Sequence, residues 1–162
     1  MSDPNLQVQR QIQALQDDLE RLRKADAPGV SGTWTPTFAG LTGAGTYTYV
    51  AQNGFYTRIG NIVHIYGRIG ISAIGTPPTG GMVILTLPFT SSSVSGTRGV
   101  LTFGYVSNLN LTAGAYLTGN IDPGEDGVRL MENFDNATST AYPAANFTNA
   151  NCDITFFGSY PV

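Results

Sequence analysis

An abrupt change of character near residue 28 is the feature that most constrains how this chain folds. The chain has 8 basic and 11 acidic side chains, and 9 of these 19 fall within the first 26 positions. Pro28 and Gly29 stand at the junction, where they disfavour a continuing helix. The sequence therefore predicts a helical segment over residues 1–27, a linker over residues 28–32 and one larger domain over residues 33–162.

A heptad pattern runs through the first segment. Apolar residues recur at alternating spacings of four and three, at Val8, Ile12, Leu15, Leu19 and Leu22. So narrow an apolar stripe is typical of a coiled-coil seam, and Asp18 and Arg23 hold g and e positions where charges pair between helices. The seam predicts self-association but leaves dimer and trimer open. The alternative is an amphipathic helix that lies on its own domain.

The remainder of the chain has the period-two pattern of β-strands. Short apolar or β-branched runs alternate with turns rich in Gly, Ser, Thr, Asn and Pro. This pattern predicts a mainly β fold, an antiparallel β-sandwich of jelly-roll type that follows the coiled-coil helix. The candidate strands are residues 33–38, 46–50, 54–59, 62–71, 82–87, 97–105, 115–121, 127–133 and 152–160.

The candidate strand at residues 62–71 has two chemically distinct faces. One face carries Val63, Ile65, Gly67, Ile69 and Ile71, and we expect it in the core. The other face carries Ile62, His64, Tyr66, Arg68 and Gly70. Three of these, His64, Tyr66 and Arg68, are candidates for contact with a ligand or with another subunit.

Several functional classes are disfavoured by composition. One Cys and one His leave no disulfide framework and few metal or triad arrangements, so we expect His64 and Cys152 to be structural and the protein not to be an enzyme. A net charge of −3 argues against nucleic-acid binding. We expect no membrane insertion, because no run of 18 apolar residues occurs. The N-terminus lacks the pattern of a signal peptide.

Local clusters supply further candidate sites. Asp122, Glu125 and Asp126 lie on a Gly-containing stretch, which makes a weak Ca²⁺ site conceivable and a solvated turn the plainer alternative; no other cofactor is expected. Trp34 is predicted to anchor the helical segment to the β-rich domain. Three aromatic residues near predicted loops and strand ends are candidates for ligand or subunit contact, with core packing as their alternative: Tyr116, Tyr142 and Phe147.

Three sequence motifs occur in a fixed order in the β-rich part. Gly32-Thr33-Trp34-Thr35-Pro36 opens it, Gln52-Asn53-Gly54-Phe55-Tyr56-Thr57-Arg58-Ile59-Gly60-Asn61 follows, and Leu87-Pro88-Phe89 comes later. In this order the motifs resemble the C-terminal domains of tailed-bacteriophage fibre proteins, in which a helical or fibrous stem leads to a trimeric β-rich head. The resemblance covers roughly residues 32–89, and residues 90–162 match only in general character.

The resemblance implies a homotrimer located in the virion and made in the host cytoplasm. It implies a non-enzymatic short fibre whose N-terminal segment contacts other virion proteins and whose head contacts a host-surface glycan or protein. The stem is much shorter than in long tail fibres. A capsid-decorating or head-fibre protein that stabilises or ornaments the shell is therefore the alternative.

Overall fold

A computed structural model describes residues 4–25, 29–148 and 150–162, with helix side chains described over residues 7–20. The chain begins with one long helix and continues as an antiparallel sheet, so the expected mainly β fold is confirmed. The elements are α1 (Pro4–Ala25), β1 (Val30–Trp34), β2 (Thr37–Gly40), β3 (Tyr47–Ile59), β4 (Ile62–Ile74), β5 (Met82–Leu85), β6 (Gly99–Ser107), β7 (Tyr116–Ile121), β8 (Val128–Phe134), β9 (Ala137–Ala141), a 3-10 helix (Ala144–Asn146) and β10 (Asp153–Pro161).

All ten strands belong to one hydrogen-bonded sheet. Its strand order is β1-β3-β4-β10-β6-β7-β8-β5-β2, and β9 pairs with β8 outside this path. The first and last strands of the path, β1 and β2, are separated in the chain by only Thr35 and Pro36. Because two residues span only about 10 Å between the flanking strand ends, the sheet must curl until its two ends approach each other.

The curled sheet encloses one apolar core, and the two separate sheets of the expected jelly roll are not shown. Strands from both ends of the path contribute to the same core cluster, with Trp34 from β1 and Phe38 from β2. Its largest fully buried apolar side chains include Tyr142, Tyr160, Phe156, Ile69, Ile71, Met82, Ile84, Leu101, Ile121, Leu130 and Ile154.

The hairpin of β3 and β4 is the longest pairing in the sheet. Each strand has 13 residues, and the turn passes through Gly60 with a positive φ of 59°. On β4 the predicted core face is confirmed, because Val63, Ile65, Gly67, Ile69 and Ile71 are all buried. The two strands expected at residues 46–50 and 54–59 form the single strand β3, since residues 51–53 also pair with β4.

Three further features of the strands differ from expectation. The expected strand at residues 33–38 is divided between β1 and β2 at Thr35 and Pro36, where proline cannot donate a ladder hydrogen bond. β5 ends at Leu85 because Thr86 takes a positive φ of 70°. β9 was not expected, since all five of its residues are exposed and no apolar alternation marks it.

Among the described residues, no helix combines the length and apolarity that a membrane crossing requires. The predicted boundaries at residues 27/28 and 32/33 remain predictions, and β1 begins inside the predicted linker, at Val30.

Candidate functional site

A groove of about 450 Å³, called the polar groove below for the hydroxyl and amide side chains along it, lies on the outer surface of β6, β7, β8 and β9. Apolar side chains, among them Val100 and Met131, also line it. Along β7 the side chains alternate, so that Leu117, Gly119 and Ile121 are buried while the residues between them reach the groove. The polar and aromatic side chains that line it are Arg98, Thr102, Tyr116, Thr118, Asn120, Asn133 and Ser139.

Side-chain hydrogen bonds fix part of the groove wall. The Asn133 amide donates to the hydroxyl of Thr118, and the Ser139 hydroxyl donates to the amide oxygen of Asn133. At another point of the wall, Asn120 donates to Asp122 over 2.8 Å. Amides and hydroxyls held in this way present donors and acceptors to a hydroxyl-rich ligand.

Tyr116 is the aromatic residue in the groove. It is the first residue of β7 and is 54% exposed. A half-exposed tyrosine offers an apolar ring face together with a hydroxyl, a combination that suits contact surfaces. Tyr116 is thus the one predicted contact residue that the structure brings into the groove.

The acidic loop near the groove, which carries the residues of the candidate Ca²⁺ site, forms ion pairs with arginines. Asp122 lies 3.3 Å from Arg98 Nε and 3.3 Å from Arg129 Nε, and Glu125 lies 3.5 Å from Arg129 Nη2. Asp126 is exposed, and its backbone carbonyl accepts a hydrogen bond from Leu87. Among the described residues, no group of three or more His, Cys, Asp or Glu side chains is arranged to hold a metal ion.

A second surface feature is a row of exposed aromatic rings on the outer face of β3, β4 and β10. Phe55 pairs in register with Tyr66, and Tyr66 pairs with Phe157. The rings of Phe55 and Tyr66 lie 6.4 Å apart between centroids. These three residues, called the aromatic row below, are 55%, 47% and 57% exposed.

Polar residues flank the aromatic row on β4. His64 is exposed on one side of Tyr66, and Arg68 lies on the other. Arg68 donates to both oxygens of Asp153 on β10, at 3.1 and 2.6 Å, and these hydrogen bonds raise the pKa of the guanidinium. The three candidate contact residues on this face, His64, Tyr66 and Arg68, are therefore outward-facing, as expected. Gly70, predicted on the same face, is buried.

The other predicted contact residues lie in the core. Tyr142 and Phe147 are buried, and the Phe147 ring packs edge-on against Phe38 at 4.9 Å between centroids. Burial raises the pKa of the Tyr142 hydroxyl above its ordinary value. The segment around the 3-10 helix thus folds inward, so that core packing, the alternative weighed for these two residues, is what the structure shows.

Trp34 and Cys152 are also buried. The Trp34 ring lies 6.2 Å from the Phe156 ring in an edge-to-face arrangement, which fixes the end of β1 in the core. Burial, and to a smaller extent Asp153, raises the pKa of the Cys152 thiol to about 12. A role for Trp34 as the anchor of the helical segment stays a prediction.

The apolar seam of α1 faces solvent over the described side chains. Val8, Ile12, Leu15 and Leu19 are between 51% and 69% exposed. The described side chains do not extend to Leu22, the last predicted seam residue, or to Arg23. The predicted pair of Asp18 with Arg23 therefore also lies outside them.

Sequence reasoning missed most of the groove. Its polar residues on β7 and β8 are ordinary Thr and Asn residues at alternate positions, such as Thr118, Asn120 and Asn133. That alternation is the available signal, but only the pairing of β6, β7, β8 and β9 assembles it into one surface.

The comparisons with known proteins give one informative match. No protein-family model matches the chain, and no curated protein matches it. Among solved structures, the crystal structure of the Dettilon tailspike protein aligns with a TM-score of 0.67 at 18% sequence identity. The match covers 82% of this chain and 24% of that chain, so this chain spans about a quarter of the tailspike's length. The likeness shows a shared fold.

Proposed function

We propose that the chain is a structural protein of a bacteriophage virion, associated with the tail, whose curled sheet contacts the host surface. The observation that carries this proposal is the fold shared with a tailspike protein over 82% of the chain. The fibre-like motifs at residues 32–89 also support a bacteriophage origin, and this support is independent because it comes from the amino-acid sequence and not from the fold.

We propose a homotrimer as the working state. The exposed seam of α1 supports self-association, since four apolar side chains in heptad spacing are left in water by a single chain. The helix of 22 residues is too short to hold an assembly alone, so the curled sheet has to contribute. In this proposal the helix also contacts neighbouring virion proteins.

The polar groove is the proposed contact for the host surface. Fixed amides and hydroxyls beside an exposed tyrosine ring suit a glycan, whose hydroxyls need donors and acceptors and whose ring faces are apolar. A trimer carries three such grooves, and a virion carries several trimers, so modest single-site affinity gains strength from multivalency.

Binding without hydrolysis is part of the proposal. Glycoside hydrolysis uses a pair of carboxylates that flank the scissile bond, whereas the described residues that line the groove include no carboxylate. Glu132, on β8, is buried and accepts hydrogen bonds from the amide and the hydroxyl of Thr112. Its oxygens are therefore engaged in holding the loop that precedes β7.

Electron microscopy of intact virions labelled with an antibody against this chain tests the location. Gold label at the tail is the expected result. Label on the capsid surface, or no label on virions that have been opened with mild denaturant, would contradict the proposal.

Binding of the purified full chain to host cells tests the groove. We expect saturable binding that Tyr116→Ala weakens by about tenfold, because the variant loses the exposed ring. Leu41→Ala is the matched control, since Leu41 is similarly exposed but lies outside the groove. Equal binding by Tyr116→Ala and the unaltered chain would remove the groove from the proposal, and absence of saturable binding would remove adhesion itself.

A further inference from the structure

We infer that the aromatic row is the surface through which the curled sheets of identical copies pack together. This inference rests on the homotrimer proposed above and deepens it by naming the contact. Phe55, Tyr66 and Phe157 occupy one register row across three adjacent strands, so their rings form a continuous apolar strip. Tyr105, exposed on the neighbouring strand β6, widens the apolar surface beyond β10.

The exposed apolar area of the aromatic row is large enough to form part of an interface between subunits. An aromatic side chain buries about 150–250 Å² when fully covered, so three half-exposed rings leave roughly 300 Å² of apolar surface in water. A stable interface covers about 800 Å² on each partner. The row falls short of that area by itself, but together with the heptad seam of α1 it approaches what a stable assembly needs.

Other features of the molecule favour a second copy of this chain as the partner that covers the aromatic row. The seam of α1 is an apolar stripe whose spacing fits another identical helix. The helix ends at Ala25 and β1 begins at Val30, a step of at most about 17 Å. β1 pairs with β3, where Thr33 lies opposite Phe55. Copies joined through their helices are therefore held with the aromatic rows within reach of one another.

Charge at this surface also fits contact between identical copies. Close to a symmetry axis, charges on identical copies lie near their own equivalents, so an unpaired charge there is repelled. Arg68, the charged residue of β4 next to the row, is bound by Asp153 through two hydrogen bonds. The pair leaves no net charge beside Tyr66.

Sedimentation velocity on the full chain tests the inference through Phe157→Asp. A carboxylate in the row would be desolvated on assembly, so we expect the dissociation constant of the assembly to rise at least tenfold. Leu41→Asp is the matched control, because it places the same charge at a similarly exposed apolar position away from the row, after β2, and it should assemble normally.

The outcomes separate the inference from the proposed function. If the unaltered chain and Phe157→Asp are both trimeric with equal dissociation constants, the aromatic row is not the contact, while the trimer stands. If the unaltered chain is monomeric at every concentration, the inference and the proposed trimer both fail. Dissociation of Leu41→Asp as readily as Phe157→Asp would also overturn the inference, since the effect would not be specific to the row.

Hydroxyl-radical footprinting of the unaltered chain covers the case in which Phe157→Asp does not fold. Tyr66 and Tyr116 have similar exposure in the single chain, at 47% and 54%, so they should be oxidised at similar rates in dilute, dissociated protein. In the concentrated assembly we expect oxidation of Tyr66 to slow at least threefold. Unchanged oxidation of Tyr66 on assembly would overturn the inference.

Discussion

Two glycines on neighbouring strands make room in the core for its tryptophan. Gly54 on β3 and Gly67 on β4 lie directly opposite each other in the ladder. The Trp34 indole packs over Gly54, and the Phe156 ring packs over Gly67. A glycine inside a strand often marks such a close approach, so these two positions set the edge-to-face contact of the two rings.

Substitution of Gly54 should therefore be costly. A methyl group at Gly54 would overlap the Trp34 ring, and we expect Gly54→Ala to lower the free energy of unfolding by about 1–3 kcal/mol. The matched control is Gly104→Ala on β6, where a methyl group meets nothing within 4 Å. Thermal unfolding of both variants measures the difference, and equal melting temperatures would contradict this account of the glycine pair.

Individual residues were predictable from sequence only where their own strand determined their environment. The outward positions of Tyr66 and Arg68 follow from alternation along β4. Tyr142 and Phe147 lie beside polar residues and Pro143, which suggested an exposed loop. They are buried because their segment packs against Phe38 from β2, which lies more than 100 positions earlier in the chain. A local sequence pattern does not reveal a contact between such distant residues.

At the scale of elements, α1 and β4 were the most predictable features. A heptad stripe marks α1, and alternation from Val63 to Ile69 marks β4. β9 has neither property, since its five exposed residues are held only by pairing with β8. An element that is defined by its neighbour, with no buried face of its own, leaves little trace in its sequence.

The helix seam gives a prediction at this scale. We expect Leu15→Asp to weaken self-association at least tenfold, because it places a carboxylate in the middle of the seam. Gln16→Asp is its control, since the neighbouring position is also exposed but lies outside the heptad stripe. Sedimentation velocity measures both variants, and an equal dissociation constant for the two would mean that the seam does not mediate assembly.

At the scale of the whole molecule, the strand order was beyond sequence reasoning. Period-two patterns locate strands, yet they do not say that β10 lies between β4 and β6, or that β1 and β2 stand at opposite ends of one path. For this reason the strands were expected to form two packed sheets and not one curled sheet. The polar groove was not predicted either, because four strands have to be placed side by side before its residues meet.

Titratable groups in and beside the core predict that the protein loses stability at alkaline pH. Burial raises the pKa values of Cys152, Tyr47 and Tyr160 to about 12, from ordinary values of 9.0 for the thiol and 10.0 for the phenols. Each folded group holds its proton more tightly than the unfolded group does. The stabilisation is therefore fully present below the unfolded pKa and is lost as pH rises towards 12.

We therefore expect the melting temperature to fall progressively between pH 9 and pH 12. In Cys152→Ala the fall should begin nearer pH 10, because the group with the lowest unfolded pKa has been removed. Thermal unfolding at a series of pH values measures both chains. A melting temperature that stays constant up to pH 12 would show that these groups titrate alike in the folded and unfolded states.

The position of β10 has a consequence for the order of events during folding. The last strand in the sequence joins the two halves of the sheet, β1-β3-β4 and β6-β7-β8-β5-β2. Until β10 inserts, both halves keep open edges that can mispair. Because β10 pairs with strands that lie far away in the sequence, closure of the sheet is expected to be slow. Phe157 arrives on the same strand. A subunit that has not closed its sheet thus lacks one ring of the aromatic row, and its contact surface in the proposed assembly is incomplete.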